Sequence, residues 1–589
     1  MVATHSVKAR MKMILHESTV AKSVVLALMG VSLSTDVTEG ATRNVLVGQA
    51  ARSPKPPVMS ELKDYMVYAQ LPDGRLMGIM GRTQNGIPEA AARYSTDDGF
   101  SWSEPEALFK LPKDIGGWGL QNVFLDHGGE LHLIYLNDAN TGGKDLYQMR
   151  FDIWHVRSLD RRTGWKDPDI VWKGYAGSLL SVAQLRSGRI LLPFCYLTPR
   201  TWANRGSGFD TFTFMGRFSS TATYSDDNGA TWRQGSPELK EATPYIGADG
   251  GIEPIVIQLK DGRVWMLIRT QDDYFFESFS EDGSRWSPPR PTRIITSDSP
   301  PSLTRLSDGR IFMLWNDCLR FPYANGGRHV LHGAISEDEG RTWRGYREVA
   351  RNPLVGEPPP PNGDHGVAYT VPALTREGTV VTSLSTGPGG GTYLLHVDPS
   401  WLYETRQADD FSKGLSEWSA FGTKGVEAVP NPGKQGARAL QMVKPEADWP
   451  AAAVWNFPMG VKGRLRLKVL LRPGFAGARL GLTDHFSVPF DELDEIYNLY
   501  NLNIGPEGKL ADGKRLDPGE WHNLEFDWDC GRSRCAVTAD GRPVAVLRLT
   551  RTTAAGVCYL RIVSTADRID TAGLLVESVD ADVSESWPR

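Results

Sequence analysis

The stretches STDDGFSW (Ser95–Trp102), SDDNGATW (Ser225–Trp232) and SEDEGRTW (Ser336–Trp343) repeat one pattern, Ser-x-Asp-x-Gly-x-Ser/Thr-Trp. In a turn of this kind the aspartate accepts hydrogen bonds from the turn backbone, and the glycine takes a positive φ. The tryptophan can then pack between neighbouring sheets. The pattern therefore indicates structure, and we assign no catalytic role to its aspartates.

A second repeat runs through the same part of the chain and reads apolar strand, tight turn, apolar strand. Its six copies are Leu71–Leu76, Leu125–Leu131, Leu185–Ile190, Leu259–Val264, Leu306–Ile311 and Leu374–Val380. Short strands that recur at intervals along a chain are typical of propeller blades. The sequence predicts an all-β fold that begins with a six-bladed propeller. We expect the segment ahead of blade one to supply the last strand of blade six and close the ring.

The length of 589 residues is too great for one hydrophobic core, so we expect more than one domain. We predict a leader and linker over residues 1–55, the propeller over 56–404 and a β-sandwich of jelly-roll type over 405–589. Alternating apolar residues with turns between them predict sandwich strands at Arg464–Leu471, Arg479–Leu482, His522–Trp528, Cys535–Ala539 and Val544–Leu549. The sandwich either packs as an accessory domain or binds carbohydrate.

Basic residues precede an apolar stretch, Val24–Leu33, which has the length of a signal-peptide core. We expect a secreted or periplasmic protein, with a disordered tail as the alternative. The net charge of −5, with both signs interspersed, argues against nucleic acid as a partner. The chain lacks a long uncharged apolar run, so we expect no membrane span.

The five cysteines are an odd number. Cys195 and Cys318 lie in apolar runs and are expected to be buried thiols. Cys530 and Cys535 flank a short turn and would form a small disulfide if the protein is exported. No stretch has zinc-ligand spacing or regularly spaced acidic calcium ligands. We therefore expect no metal and no cofactor.

The repeated turn resembles the Asp-box of the sialidase (neuraminidase) superfamily, whose members are six-bladed propellers with BNR repeats. The resemblance covers roughly residues 60–403 and further implies a concanavalin-like sandwich after the propeller. Asp-boxes also occur in receptors, lyases and other glycosidases, so the motif indicates fold more strongly than activity.

The resemblance implies four site residues from their places relative to hairpins and Asp-boxes. Tyr369, in GVAYTVPALTREG, corresponds to the family's tyrosine nucleophile, and Glu253, in GGIEPIVIQLKDGR, to the glutamate that activates it. Arg269 and Arg328 correspond to the second and third arginines of the family's clamp on the substrate carboxylate. Two guanidiniums can hold a carboxylate by paired hydrogen bonds.

The sequence departs from the family pattern in the first blade. The family's Arg-Ile-Pro motif is absent, and Asp64 stands about where its arginine should be. The family's acid/base aspartate has no clear counterpart. Glu89 is the carboxyl of the corresponding loop and is our first candidate for the proton donor, and Asp64 and Asp249 are alternatives. This departure favours an anionic sugar related to sialic acid over sialic acid itself.

Further contacts are expected from long loops. His365, four residues before Tyr369, is a candidate base or substrate contact. Trp118, Trp202 and Tyr323 are candidates for stacking on sugar rings, with interior packing as the alternative. The expected partner is a glycan or oligosaccharide.

Three functions fit these residues. The first is an exo-acting, retaining glycoside hydrolase that releases a terminal anionic sugar. The second is a uronate polysaccharide lyase, in which the arginines neutralise the uronate and Tyr369 or His365 takes a carbon-bound proton. The third is a propeller that binds glycans without catalysis, which the missing Arg-Ile-Pro motif favours. The hydrolase is the leading hypothesis.

Overall fold

The computed structural model of the chain describes residues 53–112, 117–138, 151–161, 164–199, 216–234, 250–319, 327–352, 354–355, 366–387, 390–420, 424–489 and 493–585. Residues Pro54–Arg589 form one compact unit. The predicted leader falls on residues outside these ranges up to position 52, as do the loop residues Asp249, His365, Trp202 and Tyr323. Within the described ranges, no helix has the length and apolar character needed to cross a bilayer.

Six four-stranded antiparallel sheets follow one another along the first part of the chain and form the predicted propeller. Blade one contains the strands Val67–Gln70, Leu76–Gln84, Ile87–Ser95 and Glu106–Lys110. Blade two contains Gly117–Leu125, Leu131–Asp138, Phe151–Ser158 and Asp169–Trp172. Blade three contains Ala183–Gln184, Ile190–Pro199, Gly216–Ser225 and Arg233–Gln234. Blade four contains Ile252–Gln258, Val264–Arg269, Tyr274–Ser280 and Arg290–Ile295. Blade five contains Ser302–Arg305, Ile311–Trp315, Val330–Ser336 and Arg344–Arg351. Blade six contains Ala373–Leu374, Val380–Ser385, Thr392–Val397 and, from the segment before blade one, Val58–Leu62.

The strand Val58–Leu62, from the segment before blade one, completes blade six and closes the ring, as the sequence predicts. Val58–Leu62 pairs antiparallel with Thr392–Val397, and Val58 lies opposite His396. The first strand of blade one also contacts the first strands of blades two and six. Blade six is therefore built from both ends of the propeller sequence, and this shared sheet joins them.

The Asp-box turns have the geometry expected from their sequence. In the first turn, Asp97 Oδ1 accepts hydrogen bonds from the Ser101 amide at 2.9 Å and the Ser95 hydroxyl at 2.8 Å. Gly99 has φ +91°. Trp102 packs against a buried cluster that joins blades one and six and includes Tyr68 and Leu394. The motif therefore closes turns and seals the contact between blades.

The order of the strands separates two faces of the ring. Each blade is a meander, so the hairpin between its first two strands and the Asp-box turn between its last two lie on one face. The connections between second and third strands, and those from one blade to the next, lie on the opposite face. The four residues implied by the resemblance all belong to this opposite face.

The second part of the chain is a sandwich of two antiparallel sheets. The larger sheet contains Arg406–Asp409, Val426–Pro430, Arg438–Lys444, Lys462–Leu471, Trp521–Asp529, Arg534–Ala539, Arg542–Arg548 and Asp570–Glu585. The smaller sheet contains Trp418–Ala420, Ala452–Gly460, Ala478–Thr483, Tyr500–Ile504 and Val557–Ser564. The described helices are short 3₁₀ turns at Pro399–Tyr403, Leu493–Tyr497, Pro506–Gly508 and Ala511–Gly513. The concanavalin-like relationship stays a prediction.

A continuous hydrophobic cluster joins the smaller sheet to blades four and five. It includes Trp315 and Tyr346 from the propeller, with Val454 and Tyr559 from the sandwich. The Tyr559 hydroxyl donates to Glu348 at 2.7 Å, so the buried phenol is also satisfied by a polar group. Burial of large apolar side chains from both sides holds the sandwich against the propeller.

The conditional disulfide between Cys530 and Cys535 is not formed, and all five cysteines are free thiols. Cys195 and Cys318 are buried, as predicted. Burial raises the pKa of Cys195, Cys530 and Cys535 to about 12. A thiol reacts as its thiolate, so these groups are protected from oxidation in the folded protein.

We predict that protein unfolded in denaturant without reductant contains five titratable thiols per chain. The folded protein should react only slowly with a thiol reagent at pH 8, because its raised pKa values leave little thiolate. The measurement is a colorimetric thiol titration, with protein reduced before unfolding as the control. A count of three thiols per chain in the unreduced, unfolded sample would show that two cysteines form a disulfide and would contradict the free thiols of Cys530 and Cys535.

Candidate active site

Side chains from several blades converge on the face opposite the Asp-box turns. Glu253 lies at the start of the first strand of blade four, and Arg269 ends the second strand of that blade. Arg328 precedes the third strand of blade five, and Tyr369 precedes the first strand of blade six. Hydrogen bonds link these groups directly or through one neighbour, so residues more than 100 positions apart form one cluster.

Arg269 is the centre of this cluster. Its Nη1 donates to Glu253 Oε2 at 2.5 Å and to the hydroxyl oxygen of Tyr369 at 2.9 Å. Its Nε donates to Asp298 Oδ1 at 2.7 Å. Burial would lower the pKa of Arg269, but the neighbouring acidic groups of Tyr369, Glu253 and Asp298 outweigh it and hold the pKa well above its usual value. The guanidinium is therefore a permanent buried cation whose donors point at protein groups.

Asp298 is a site residue that the sequence analysis missed. Besides its bond to Arg269, it accepts from Gln271 Nε2 at 3.0 Å. Its backbone oxygen accepts from Arg328 Nε at 3.1 Å and Nη2 at 2.5 Å. Burial alone would raise the pKa of Asp298, but Arg269 and Arg328 outweigh it and lower the pKa. Asp298 thus connects the two arginines, one through its side chain and one through its backbone.

Tyr369 is held on three sides. Its hydroxyl oxygen is bound by Arg269, and the guanidinium of Arg328 lies over its ring, 5.2 Å from the centroid. The hydroxyl of Tyr65 donates to its backbone oxygen at 3.3 Å. A cation over an aromatic face is attracted by the ring quadrupole. These contacts fix both the ring plane and the direction of the phenol oxygen.

Two of these residues adopt an unusual backbone conformation. Glu253 has φ +46° and Tyr369 has φ +60°, a region that costs a non-glycine residue of order 1–3 kcal/mol. Glu253 also lies where the pairing of its strand with the next one shifts register, so a bulge aims its side chain. Gly177 permits this arrangement, because a Cβ there would lie 3.2 Å from Glu253 Cγ and 2.8 Å from Cys195 Sγ.

A cavity of about 320 Å³ opens onto Tyr369 and Arg328. Its other walls come from around the ring and include Tyr65, Gln121 and Ser178. Arg269 is not a wall residue, so the arginine that faces the cavity is Arg328. A mostly apolar lining with a few polar groups, here Arg328, Gln121 and the Tyr369 hydroxyl, is typical of a small-molecule site.

A second cavity, of about 560 Å³, shares the walls Tyr65 and Leu120 with the first. Glu89 lines it together with Arg82, and Arg82 Nε donates to Glu89 Oε1 at 2.7 Å. Glu89 is buried, with 4% of its surface exposed. Trp118 also lines this cavity, but it lies on the first strand of blade two and not on a loop, and its ring packs edge-on against Tyr135 and Trp154. Glu89 is therefore the described carboxyl candidate that faces the region beside Tyr369.

The remaining predicted residues are not part of this arrangement. Asp64 is half-buried, lies 3.9 Å from Arg93 and lines neither cavity. Asp249 and His365 lie outside the described residues. Among the described residues, a group of carboxylate and imidazole side chains whose ligand atoms lie within 4.8 Å of one another is found in blade two, on the Asp-box face.

The family comparison agrees with the repeats. Residues 76–382, more than half of the chain, match the model of a family described as the BNR repeat-like domain. None of the curated proteins matches the chain significantly.

Several solved structures are similar at low identity. Trypanosoma rangeli sialidase in complex with sialic acid is 12% identical over 90% of this chain and 94% of its own, with a TM-score of 0.39. The same sialidase with the inhibitor DANA is 14% identical over 88% and 91%, with a TM-score of 0.37. A protein of unknown function from Dyadobacter fermentans is 16% identical over 59% and 99%, with a TM-score of 0.43. At these values the similarity assigns no role to any residue.

We predict that Asp298→Asn destabilises the protein at pH 7 by about 3 kcal/mol, because Arg269 loses a buried counter-charge. The folded pKa of Asp298 lies below its unfolded value, so its stabilising effect is complete above about pH 4 and is lost as the pH falls below that. The difference in melting temperature between wild type and variant should therefore shrink in acid.

The matched control is Asp261→Asn. Asp261 also pairs with an arginine and accepts from Arg263 Nε at 2.9 Å and Nη2 at 2.7 Å, but this pair is exposed to solvent. The melting temperature of this variant should stay close to that of wild type at each pH. Equal losses in the two variants at pH 7 would contradict the buried role of Asp298.

Proposed function

Because the chain belongs to the BNR repeat-like domain family, we propose that it is a sialidase-like glycoside hydrolase, exo-acting and retaining. It releases a terminal anionic sugar, sialic acid or a related sugar acid, from glycans. The observation that carries this proposal is the bond from buried Arg269 to the Tyr369 hydroxyl, beside a cavity lined by Arg328. Export to the periplasm or the outside of the cell is part of the proposal and depends on the apolar stretch Val24–Leu33.

The choice of tyrosine as nucleophile follows from the charge of the substrate. A sugar acid with a carboxylate on its anomeric carbon repels a carboxylate nucleophile, whereas a phenol approaches as a neutral group. The guanidinium of Arg269, 2.9 Å from the phenol oxygen, stabilises the negative charge that forms when the proton leaves. Tyr369 attacks the anomeric carbon and forms a covalent glycosyl-tyrosine that water then hydrolyses.

Glu253 is the base that takes the phenol proton. Its carboxylate and the Tyr369 hydroxyl are bound by the same nitrogen of Arg269, so the two oxygens are neighbours. The other carboxylate oxygen faces the backbone amide of Ser178 at 3.4 Å. Arg269 is the positioning residue of this pair, since its donors are directed at Glu253, Asp298 and Tyr369.

The substrate carboxylate binds to Arg328. The family resemblance implies two arginines in this role, but Arg269 is bound by protein acceptors and does not line the cavity. Arg328 lies over the Tyr369 ring and forms a wall of the cavity, so an anion bound there is close to the nucleophile. Its contact with Asp298 fixes the direction of the guanidinium.

Glu89 donates the proton to the leaving oxygen. It lines the adjoining cavity, which shares two wall residues with the cavity at Tyr369. Arg82 Nε binds Glu89 Oε1, so the proton is donated from the Oε2 side of the carboxyl. Asp64 lies outside both cavities, so Glu89 is preferred.

We predict that Tyr369→Phe lowers kcat on an aryl sialoside or aryl uronide by on the order of 10³ or more, because the nucleophile is lost. The control is Tyr65→Phe, which removes a hydroxyl from the same cavity wall without touching the reacting oxygen. Its rate should fall by less than about tenfold. A Tyr369→Phe protein as fast as wild type on both substrates would refute the proposal.

We predict that Glu89→Gln slows natural glycosides much more than aryl glycosides with acidic leaving groups, since an acidic phenol departs without a proton. The measurement compares kcat/KM for both substrate types in wild type and variant. Asp64→Asn serves as the control and should leave the ratio unchanged. A uniform loss on both substrate types in Glu89→Gln would contradict its role as the acid.

The same phenol and guanidinium would also suit removal of a carbon-bound proton from a uronate, so a lyase is the alternative. Ultraviolet absorbance of an unsaturated uronate product identifies a lyase, whereas a hydrolase releases the intact sugar acid. Tight binding on a glycan array without turnover of either kind would favour the non-catalytic propeller.

A further inference from the structure

The hairpin of blade two brings together three side chains with metal-ligating atoms. Asp126 and Glu130 lie in its turn, and His132 lies on the strand that follows. One ligand atom from each residue lies within 4.8 Å of the other two. All three residues are buried, and His132 has no exposed surface. This group lies on the Asp-box face, away from Tyr369.

The other five hairpins show that these three residues break the repeat. A backbone bond from Asp126 to Glu130 at 3.0 Å matches the bond from Leu71 to Arg75 at 2.9 Å, so the positions align. At the position of Asp126 four blades have a buried leucine, at the position of Glu130 four have an arginine, and at the position of His132 the other five have an apolar residue. The leucines are Leu71, Leu185, Leu259 and Leu306, and the arginines are Arg75, Arg189, Arg263 and Arg310. The apolar residues at the position of His132 are Met77, Leu191, Trp265, Phe312 and Val381.

The atoms that face one another lack hydrogen-bond partners. Asp126 Oδ2, Glu130 Oε1 and His132 Nε2 are each buried without a partner. Asp126 Oδ2 and His132 Nε2 are 3.6 Å apart, too far for a hydrogen bond. A buried polar atom without a partner costs about 1–3 kcal/mol, so three in one place call for a ligand.

The His155 ring supports His132 and connects it to the next blade. His155 Nε2 and His132 Nδ1 are 2.9 Å apart and share one hydrogen bond, whose direction depends on the ring tautomers. The His155 ring also packs against Gly229 and the Trp232 ring, in the Asp-box turn of blade three. With the proton on His132 Nδ1, His132 Nε2 has a lone pair beside Asp126 Oδ2, 3.6 Å away. A second partner that holds the ring and its tautomer is the usual support of a metal-ligating histidine.

The charges around the group also favour a cation. Two buried carboxylates face one nearby arginine, Arg157, whose Nη1 lies 3.4 Å from Glu130 Oε2. The remaining oxygen of Asp126 accepts from the Glu130 amide at 2.7 Å. An excess negative charge and a nitrogen lone pair thus share a site closed to water, and opposite charge is needed to stabilise them.

We propose that Asp126, Glu130 and His132 bind a divalent transition-metal ion, Zn²⁺ or Mn²⁺, that stabilises the hairpin of blade two. Two carboxylates and an imidazole suit these ions better than Ca²⁺ or Mg²⁺, which take oxygen ligands. Zn²⁺ bonds of about 2.0–2.1 Å place tetrahedral ligand atoms roughly 3.3 Å apart. The separation of Asp126 Oδ2 and His132 Nε2 is 3.6 Å, close to this value. His155 binds His132 and packs against Gly229, so it links the site to the Asp-box turn of blade three.

The test uses the full chain, purified without metal-affinity chromatography. After incubation with one equivalent of Zn²⁺ or Mn²⁺ and desalting, elemental analysis should find about one ion per chain. EDTA should lower the melting temperature by about 2 °C or more, and added metal should restore it. Less than about a tenth of an ion per chain, with the same melting temperature in metal and in EDTA, would overturn the proposal.

Two variants locate the ion. His132→Leu places at this position the residue that blade three has at Leu191, so it should fold, and it should neither retain metal nor respond to it. Asp308→Asn changes an exposed carboxylate in the hairpin of blade five and should behave as wild type. Equal metal retention in wild type and His132→Leu would contradict the site. A wild-type protein that is stabilised by low pH, and by neither metal, would also contradict it, because that result indicates an ion pair between a protonated His132 and a carboxylate.

Discussion

The buried guanidinium of Arg269 is the interaction on which the candidate active site depends. It binds one group from the first strand of blade four, one from the connection between blades four and five, and one from the segment before blade six. Its charge is balanced by Glu253 and Asp298, and loss of either leaves a buried charge without its partner. The same bonds keep Tyr369 at a positive φ that its own sequence would not favour. The electrostatics that stabilise this face therefore also aim the phenol.

The family resemblance, applied through each residue's position in the repeat, implied residues that the structure brings together. Glu253, Arg269 and Tyr369 each have a defined place relative to a hairpin, and ring closure brings equivalent places together. The residues that bind these side chains could not be predicted from the sequence. Asp298 lies in the connection TSDSP, which has no distinguishing pattern, and its bonds arise only once blades four and five pack side by side. Because these partners were unknown, we expected Arg269 to bind the substrate, whereas its donors bind Glu253, Asp298 and Tyr369.

The sandwich strands illustrate a second limit. Lys462–Leu471 alternates buried and exposed residues because one side of its sheet faces solvent, and its alternation predicted it. Ala452–Gly460 is buried at all nine positions and has no such alternation. Trp455 packs in the sandwich core, while Val454 packs against the propeller. The blade-two group was missed because Asp126 and Glu130 read as ordinary turn residues until the six hairpins were aligned by their backbone bonds.

The central claim is that the Tyr369 oxygen forms the covalent bond to the sugar. The most direct measurement is intact-protein mass spectrometry after incubation with a sugar acid that carries fluorine beside the anomeric carbon and a good leaving group there, since fluorine slows release of the intermediate. The account predicts a mass increase of one fluorinated glycosyl group, located on Tyr369 by peptide mapping. Release of the leaving group without any adduct, or an adduct on another residue, would contradict it.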